Sequence, residues 1–475
     1  MTLFRANRLH CFYQIFFLLW FFCDVHDTAA GTQNPGKRTL TVGVAKIDIT
    51  PHNPIRLSGY GDRKTESDGI LQPISAKALT FGNDREGVSV LITVDLIGIP
   101  GHITSRLYER LASKIQLDTA DLVICTSHTH GGPEVGTLLN HFGGPLPPDE
   151  LGKIIQYQEE LIARLEAVVL MSLKARRPSL LSWGTGEVNF AKNRRVIKDG
   201  KWVGGGVTPG GPVDHAFPLL RITEPNGNLR AVLVSYACHG TTLGSLNKVH
   251  GDWIGEAQKQ IEEKHPGAIA LVAVGCGADI NPDPRYKIEH VVQYGKMIAD
   301  ETERLLQTDL QPLDALPVGR YKRIQLPFSH IPDVTELVEQ AKGDGPKGYY
   351  ARLCLEGLAR GREVPRSLSY PIKTWTFGEE LAMVFLAGEV VVDYALRLKD
   401  ELRPDRLWIN AYSNDVPSYI ASRRVIREGG YEAESSQYSY DRPSPYSEEI
   451  EDLIIQAVHN LLPSTFKSIR KKEGH

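Results

Sequence analysis

Charge of one sign, paired cysteine motifs and internal repetition are all missing from this 475-residue chain, and each absence removes a class of function. A formal net charge of -3 supplies no electrostatic pull toward nucleic acid or an anionic membrane, so charge names no partner. No CxxC pair suggests a cysteine zinc site. No repeat period, heptad stretch or low-complexity linker interrupts Thr41 to Leu462, which fits one large catalytic unit better than an array or two domains. The one long apolar run, Cys11 to Cys23, is shorter than the about 20 residues that a membrane span takes.

What is present is material for a large core, with 41% of residues hydrophobic and 23% charged. Arg5 and Arg8 precede the apolar run, and Thr28, Ala29 and Ala30 follow it. That is the pattern of an export signal over residues 1–30, cut after Ala30, which implies a secreted or periplasmic protein. The alternative is an uncleaved anchor. Of six cysteines, those outside this segment are Cys125, Cys238, Cys276 and Cys354, expected as buried free thiols rather than disulfides. The charged tail from Lys467 to His475 is expected to fray.

Strand patterns occur at Val88–Ile97, Asp121–Thr126, Leu219–Thr223, Leu229–Ala237, Ala268–Val274 and Leu381–Ala387. Amphipathic helices are expected at Ser105–Ile115, Ile154–Ala175, Trp253–Lys264, His290–Leu306, Val390–Leu402 and Glu448–Leu462. Pro225 to Asn228 reads as a hairpin turn, which makes the sheets mixed in direction. The class is therefore α/β or α+β, with mixed sheets flanked by helices and polar clusters at strand carboxyl ends, where open sheets bind ligands.

Directly after the second of these strands comes SHTHGGPEVG, Ser127 to Gly136. In extended backbone His128 and His130 point to one face, so both imidazoles can line one cleft; an ordinary loop histidine pair is the alternative. His239 closes another strand in YACHGTTLG. Glu389, in LAGEVV, follows a third strand and is placed at the amino end of a helix, as a ligand or as a cap. Two histidines and a carboxylate at strand ends make a zinc set with a coordination position left open. Asp95 and Asp252, beside strand ends, fit groups that orient ligating histidines, and Asp252 also fits a helix cap. His250 is left outside the metal set.

Taken together, VGVAKIDIT, LSGYGD, TVDLIG, SHTHGGP, KNRRV, ACHGTTLG, HGDWIGEA, AGEVV and YSNDVPSYIASRRVIREGGYE resemble, in order and rough spacing, the catalytic domain of the neutral/alkaline non-lysosomal ceramidases. The resemblance spans residues 41–465. It implies that His128, His239, Glu389 and Tyr419 hold Zn2+, and that His130, Arg194 and Tyr431 surround the reacting carbonyl. Full-length members of that family carry a carboxyl-terminal immunoglobulin-like domain after the catalytic one, which this sequence is expected to lack. Read without the resemblance, Tyr419 would be packing, Arg194 and Arg195 a solvent-facing pair, and Tyr431 a loop residue.

The chain departs from the family at GADINPD, Gly277 to Asp283. Asp279 is kept, but Asn281 stands where the family has serine, which excludes an acyl-serine at that position; Asn281 retains the capacity to hydrogen-bond substrate or water. The glycine-rich segment after Arg195 also differs and is expected to form a mobile or reshaped rim. The reading is a zinc-dependent amidohydrolase acting on a linear N-acyl bond, ceramidase-like. Alternatives are a zinc esterase or deacylase on another acylated lipid or sugar, or an inactive metal- or lipid-binding relative. The partner implied is a lipid or small-molecule substrate, with transient membrane-surface contact, and neither nucleic acid nor a protein partner is indicated.

Overall fold

The computed structural model describes residues 38–136 and 146–468. The export-signal segment and most of the charged tail lie outside these residues. Runs such as VSVLITV and IALVAV are buried along almost their whole length, as strands covered on both faces must be. They belong to a nine-stranded sheet. Its path runs Ile269–Val274, Leu229–Tyr236, Ala216–Thr223, Arg177–Glu187, Leu40–Asp48, Ser75–Asn83, Gly87–Val94 and Leu122–Thr126, with Gln311–Leu313 paired to Arg177–Glu187. Only the two outermost pairs are parallel; the neighbours between them are antiparallel. The Pro225–Asn228 hairpin joins one of those antiparallel pairs.

A second, four-stranded sheet follows the order Pro317–Pro327, Ser367–Phe377, Leu381–Leu386 and Leu407–Asn410. Its last two strands are parallel. Trp375, Met383, Phe385 and Trp408 from this sheet share one buried cluster with Phe81, Leu91, Val123, Leu220, Leu233 and Leu271 from the large sheet. The sheets therefore pack face to face. Helices Gly101–Ala112 and Pro148–Lys174 contribute to a second cluster, on the outer face of one half of the large sheet. Helices Asp252–Lys264 and Ile288–Leu306 do the same on the other half. Asp393–Glu401 and Ile450–Leu461 pack against the small sheet. The result is four layers, helix, sheet, sheet, helix, each apolar face buried against the next.

The observed elements refine the expected ones. Arg177–Glu187, Pro317–Pro327 and Ser367–Phe377 had no expected counterpart. The first two are long strands whose exposure alternates irregularly, so no clean period marks them in the sequence. Cys125, Cys238 and Cys276 are buried free thiols and Cys354 is a partly exposed one. Among the described residues, no helix is long and apolar enough to cross a membrane.

Trp375 is fully buried between the sheets, with Nε1 donating to Ala120 O at 2.9 Å and its ring edge-on to Phe81 and Phe385. Trp375→Ala is expected to cost about 3–5 kcal/mol through the lost transfer term and the cavity left behind. A urea-denaturation midpoint shift with metal content retained would show it.

Candidate metal centre and active site

The strands that end in parallel pairs deliver their following loops to one place. Backbone hydrogen bonds then join those loops across both sheets: Thr126 N to Tyr412 O, Tyr412 N to Gly388 O, Ala411 N to Val274 O, Ala278 N to Val390 O and His239 N to Ile280 O. His128 and His130 come from the loop after Leu122–Thr126, His239 from the loop after Leu229–Tyr236, and Glu389 from the turn after Leu381–Leu386.

The histidine pair converges differently from expectation. His128 is left-handed, with φ 53°, so the segment is kinked rather than extended, and the rings meet edge to face at 4.9 Å between centroids. Strain of this kind persists where surrounding structure holds it in place. His128, His130 and His239 are buried, with one ring nitrogen from each lying within 4.8 Å of the others, a donor set able to hold a metal ion.

Two backbone carbonyls orient the first and third of these rings. His128 Nδ1 lies 2.7 Å from Ile97 O, and His239 Nδ1 lies 2.7 Å from Gly277 O. A carbonyl only accepts, so each Nδ1 carries the proton and each Nε2 is left with a lone pair. Arg194 Nη1, which only donates, lies 3.3 Å from His239 Nε2 and fixes the same tautomer from the other side. Burial, with Arg194 and His128 adding to it, drives the His239 pKa down to about 4, so the ring is neutral near pH 7.

Both lone pairs face Glu389 Oε2, at 3.1 Å from His128 and 3.3 Å from His239. That oxygen is buried and has no hydrogen-bond partner. Three converging acceptors with no proton among them fit a cation. The other oxygen, Oε1, accepts from Tyr440 OH, which leaves Oε2 as the free one.

Glu389 is not at a helix terminus. It forms the two-residue strand Glu389–Val390, paired in parallel with Tyr419–Ile420, and the helix begins only at Asp393. The register sets Glu389 beside Tyr419, which is why a tyrosine in PSYI enters the site. Gly388, at φ 81°, makes the turn possible, since a Cβ there would meet Ser418 O at 2.7 Å.

All three guanidinium nitrogens of Arg194 are engaged: Nε donates to Glu432 Oε1 at 2.8 Å, Nη2 to Tyr419 OH at 3.1 Å, and Nη1 faces His239 and, at 3.5 Å, Asn281 Oδ1. Its guanidinium also lies over the Tyr431 ring at 5.7 Å. Arg195 is not solvent-facing; it is buried and paired with Glu428 and Glu432. The segment after it is an ordered hairpin, Arg195–Lys198 with Lys201–Gly205, turned at Asp199–Gly200.

Asp95 and Asp252 do not touch the His128 or His239 imidazoles. Asp95 accepts from Ser75 and Gln258, and Asp252 from the backbone N–H groups of Thr242, Leu243 and Trp253. Asp252 thus shapes the loop after His239, while carbonyls aim the rings. Asp279, fully buried, accepts from Val392 N and Asn193 Nδ2, both at 2.9 Å, and so ties the Glu389 turn to the strand preceding Arg194. Sequence reasoning missed Tyr440 and Tyr412; the latter stacks on His128 at 4.3 Å. Neither sits in a motif whose spacing points to a ligand.

The family described as neutral/alkaline non-lysosomal ceramidase, N-terminal, matches residues 40–275. The fold is similar to neutral ceramidase from Pseudomonas aeruginosa, with a TM-score of 0.67 and 17% identity over 92% of this chain and 77% of that one. It is likewise similar to a ceramidase complexed with C2, with a TM-score of 0.66 and 15% identity over the same shares. No curated protein matches by sequence.

Two outcomes are expected from the geometry. Tyr440→Phe should weaken metal binding about 10–100-fold, as loss of a group that orients a ligand does, measured by competition with a chelating dye. Burial raises the Asp279 carboxyl from 3.8 to about 6. Its contribution to stability is therefore fully present below about pH 4 and lost as pH rises through about 6. Urea titrations between pH 4 and 7 should show a smaller pH slope in Asp279→Asn than in the wild type. Over residues 40–275 the chain belongs to the neutral/alkaline non-lysosomal ceramidase family.

Proposed function

We propose that this protein is a zinc-dependent, ceramidase-like hydrolase that cleaves the N-acyl bond of a lipid amide, adding water to give a fatty acid and a free amine. One observation carries the reading: the Nε2 lone pairs of His128 and His239 converge on the unpartnered Glu389 Oε2. Those three atoms, with Tyr419 OH completing the set, would hold the ion. The chemistry zinc supplies there is polarisation of the scissile carbonyl and a lower pKa of water, toward about 7.

The chain's own groups do the rest. His130 Nε2 sits 3.3 Å from His128 Nε2, while its Nδ1 is buried without a partner. Burial, with His128 and His239 adding to it, holds its pKa well below 6.5. It is a neutral base, placed to carry a proton from water toward the leaving amine. Gly59, at φ 103°, leaves room for it, since a Cβ there would lie 2.3 Å from His130 Nδ1. Arg194 and Tyr431 stand together, the guanidinium over the ring, and would present positive charge and a hydroxyl to a developing oxyanion. Asn281, between Arg194 and Thr241, contributes an amide to substrate or water. The reading includes export through residues 1–30 and a single catalytic unit over 41–465.

Purified protein should contain about one zinc per chain and His128→Ala essentially none, by plasma mass spectrometry. Zinc-loaded protein should release fatty acid from long-chain amides, and a chelator should abolish that release. Wild type carrying no more metal than the variant, or release insensitive to chelation, contradicts the proposal.

A further inference from the structure

Beside His130 lies a wall built from three segments. Ser58 N donates to Gly132 O, His250 N donates to Gly131 O, and Leu57 bridges Pro133. Arg63 is folded into this wall. Its guanidinium lies over Tyr60 at 5.3 Å, and Tyr60 in turn packs on His130 at 4.9 Å between ring centroids. Two of its five N–H donors reach backbone carbonyls: Nη2 reaches Ser58 O, and Nη1 reaches Leu246 O at 3.4 Å. Nε is buried with no partner. Among the described residues, no carboxylate lies within 4 Å of the Arg63 guanidinium, whereas Arg194 and Arg195 at the same centre both have one. A largely buried cation with no counter-ion in contact is costly unless an anion joins it, and Asp62 and Glu134 act on Arg63 only from beyond ion-pair distance.

The neighbours of Arg63 are donors as well. His250 is 2% exposed and its Nδ1 accepts from Asp252 N at 3.2 Å. The proton of the neutral ring is therefore on Nε2, a buried donor with no partner. Ser58 Oγ is buried and unpartnered too. The carboxyl of Glu134, 7% exposed, also has an unpartnered oxygen. Burial pushes its pKa up to about 8 against the pull of Arg56 and Arg63, which makes it an uncharged acid and a donor near neutral pH. Burial lowers Arg63 to about 10, so it stays charged. The wall thus holds one fixed positive charge and several idle donors, and it stands a single side chain away from the proposed base.

From this we infer that Arg63, with His250 and Ser58, forms the subsite for the polar end of the substrate, and that this end carries an anion. The substrate class is then a long-chain amide whose amine half bears a carboxylate, an N-acyl amino acid. The inference rests on the amide-hydrolase reading and narrows its substrate. Hydrolysis adds water across the amide C–N bond: the hydroxyl goes to the acyl carbon, giving a fatty acid, and the proton to nitrogen, giving a free amino acid. Arg63 is here a binding residue with no part in proton transfer.

The test compares N-octanoylglycine with N-octanoylethanolamine, which share a chain and differ in a carboxylate against a hydroxymethyl group. Calorimetric binding to metal-free wild-type protein reads the subsite without depending on turnover. The glycine conjugate is expected to bind at least about tenfold more tightly, in the range of a charge-assisted hydrogen bond, with a preference that weakens as salt rises. Arg63→Gln should abolish the preference and Arg63→Lys should restore part of it. Equal or tighter binding of the ethanolamide by wild type overturns the inference, even if no variant folds; so does an unchanged preference in a folded Arg63→Gln. With zinc restored, fatty-acid release from neither conjugate nor ceramide would contradict the hydrolase reading, while the binding preference would still decide the subsite.

Discussion

Two peptide carbonyls, Ile97 O and Gly277 O, decide which nitrogen each principal histidine turns inward. With Nδ1 spent as a donor, Nε2 of His128 and of His239 can only accept or ligate, and each ring is held in a single orientation. Everything at the centre follows from that choice. Glu389 Oε2 is brought against two lone pairs, Arg194 finds an acceptor in His239, and Tyr440 takes the other carboxylate oxygen. A side-chain carboxylate could orient an imidazole equally well, but a carbonyl fixed in the fold adds no second charge to a buried site.

The carbonyls are themselves held by the fold. Loops from both sheets meet at the carboxyl ends of the parallel strand pairs and exchange backbone hydrogen bonds, so no ligand depends on a free-standing loop. Asp279 and Asp252 extend this control one layer out, the first by joining the Glu389 turn to the Arg194 strand, the second by bracing the loop after His239. A site positioned in this way is pre-organised before any ligand arrives, which is what electrostatic catalysis requires. It also separates two cations by role. Arg194 is balanced by Glu432 and reaches His239, whereas Arg63, with no carboxylate within 4 Å of its guanidinium among the described residues, lies over Tyr60, which packs on His130.

Much of this was legible in the sequence, and unevenly so. Strands buried on both faces, such as Leu229–Tyr236 and Leu381–Leu386, announce themselves as apolar runs, and their ends mark where His239 and Glu389 stand. The hydrogen-bonding logic was not legible. Asp95 and Asp252 look like histidine orienters because carboxylates often are; the actual orienters are backbone atoms, which no residue type reveals. Glu389 reads as a residue at a helix amino end, ligand or cap, until its strand pairing with Tyr419, thirty residues on, is known. Tyr412 and Tyr440 reach the centre only through tertiary packing, and the kink at His128 is a backbone state that the motif does not encode. The segment after Arg195 reads as a mobile or reshaped rim, and the sequence does not show that its first part pairs as a hairpin closed at Asp199–Gly200.

The central claim is that a metal ion belongs between His128 Nε2, His239 Nε2 and Glu389 Oε2. Anomalous diffraction from a crystal of the zinc-loaded protein, collected on both sides of the zinc absorption edge, tests it directly. The account predicts one strong peak about 2.0–2.2 Å from each of those three atoms. No peak there, or a peak bound through the Nδ1 atoms instead, would contradict it.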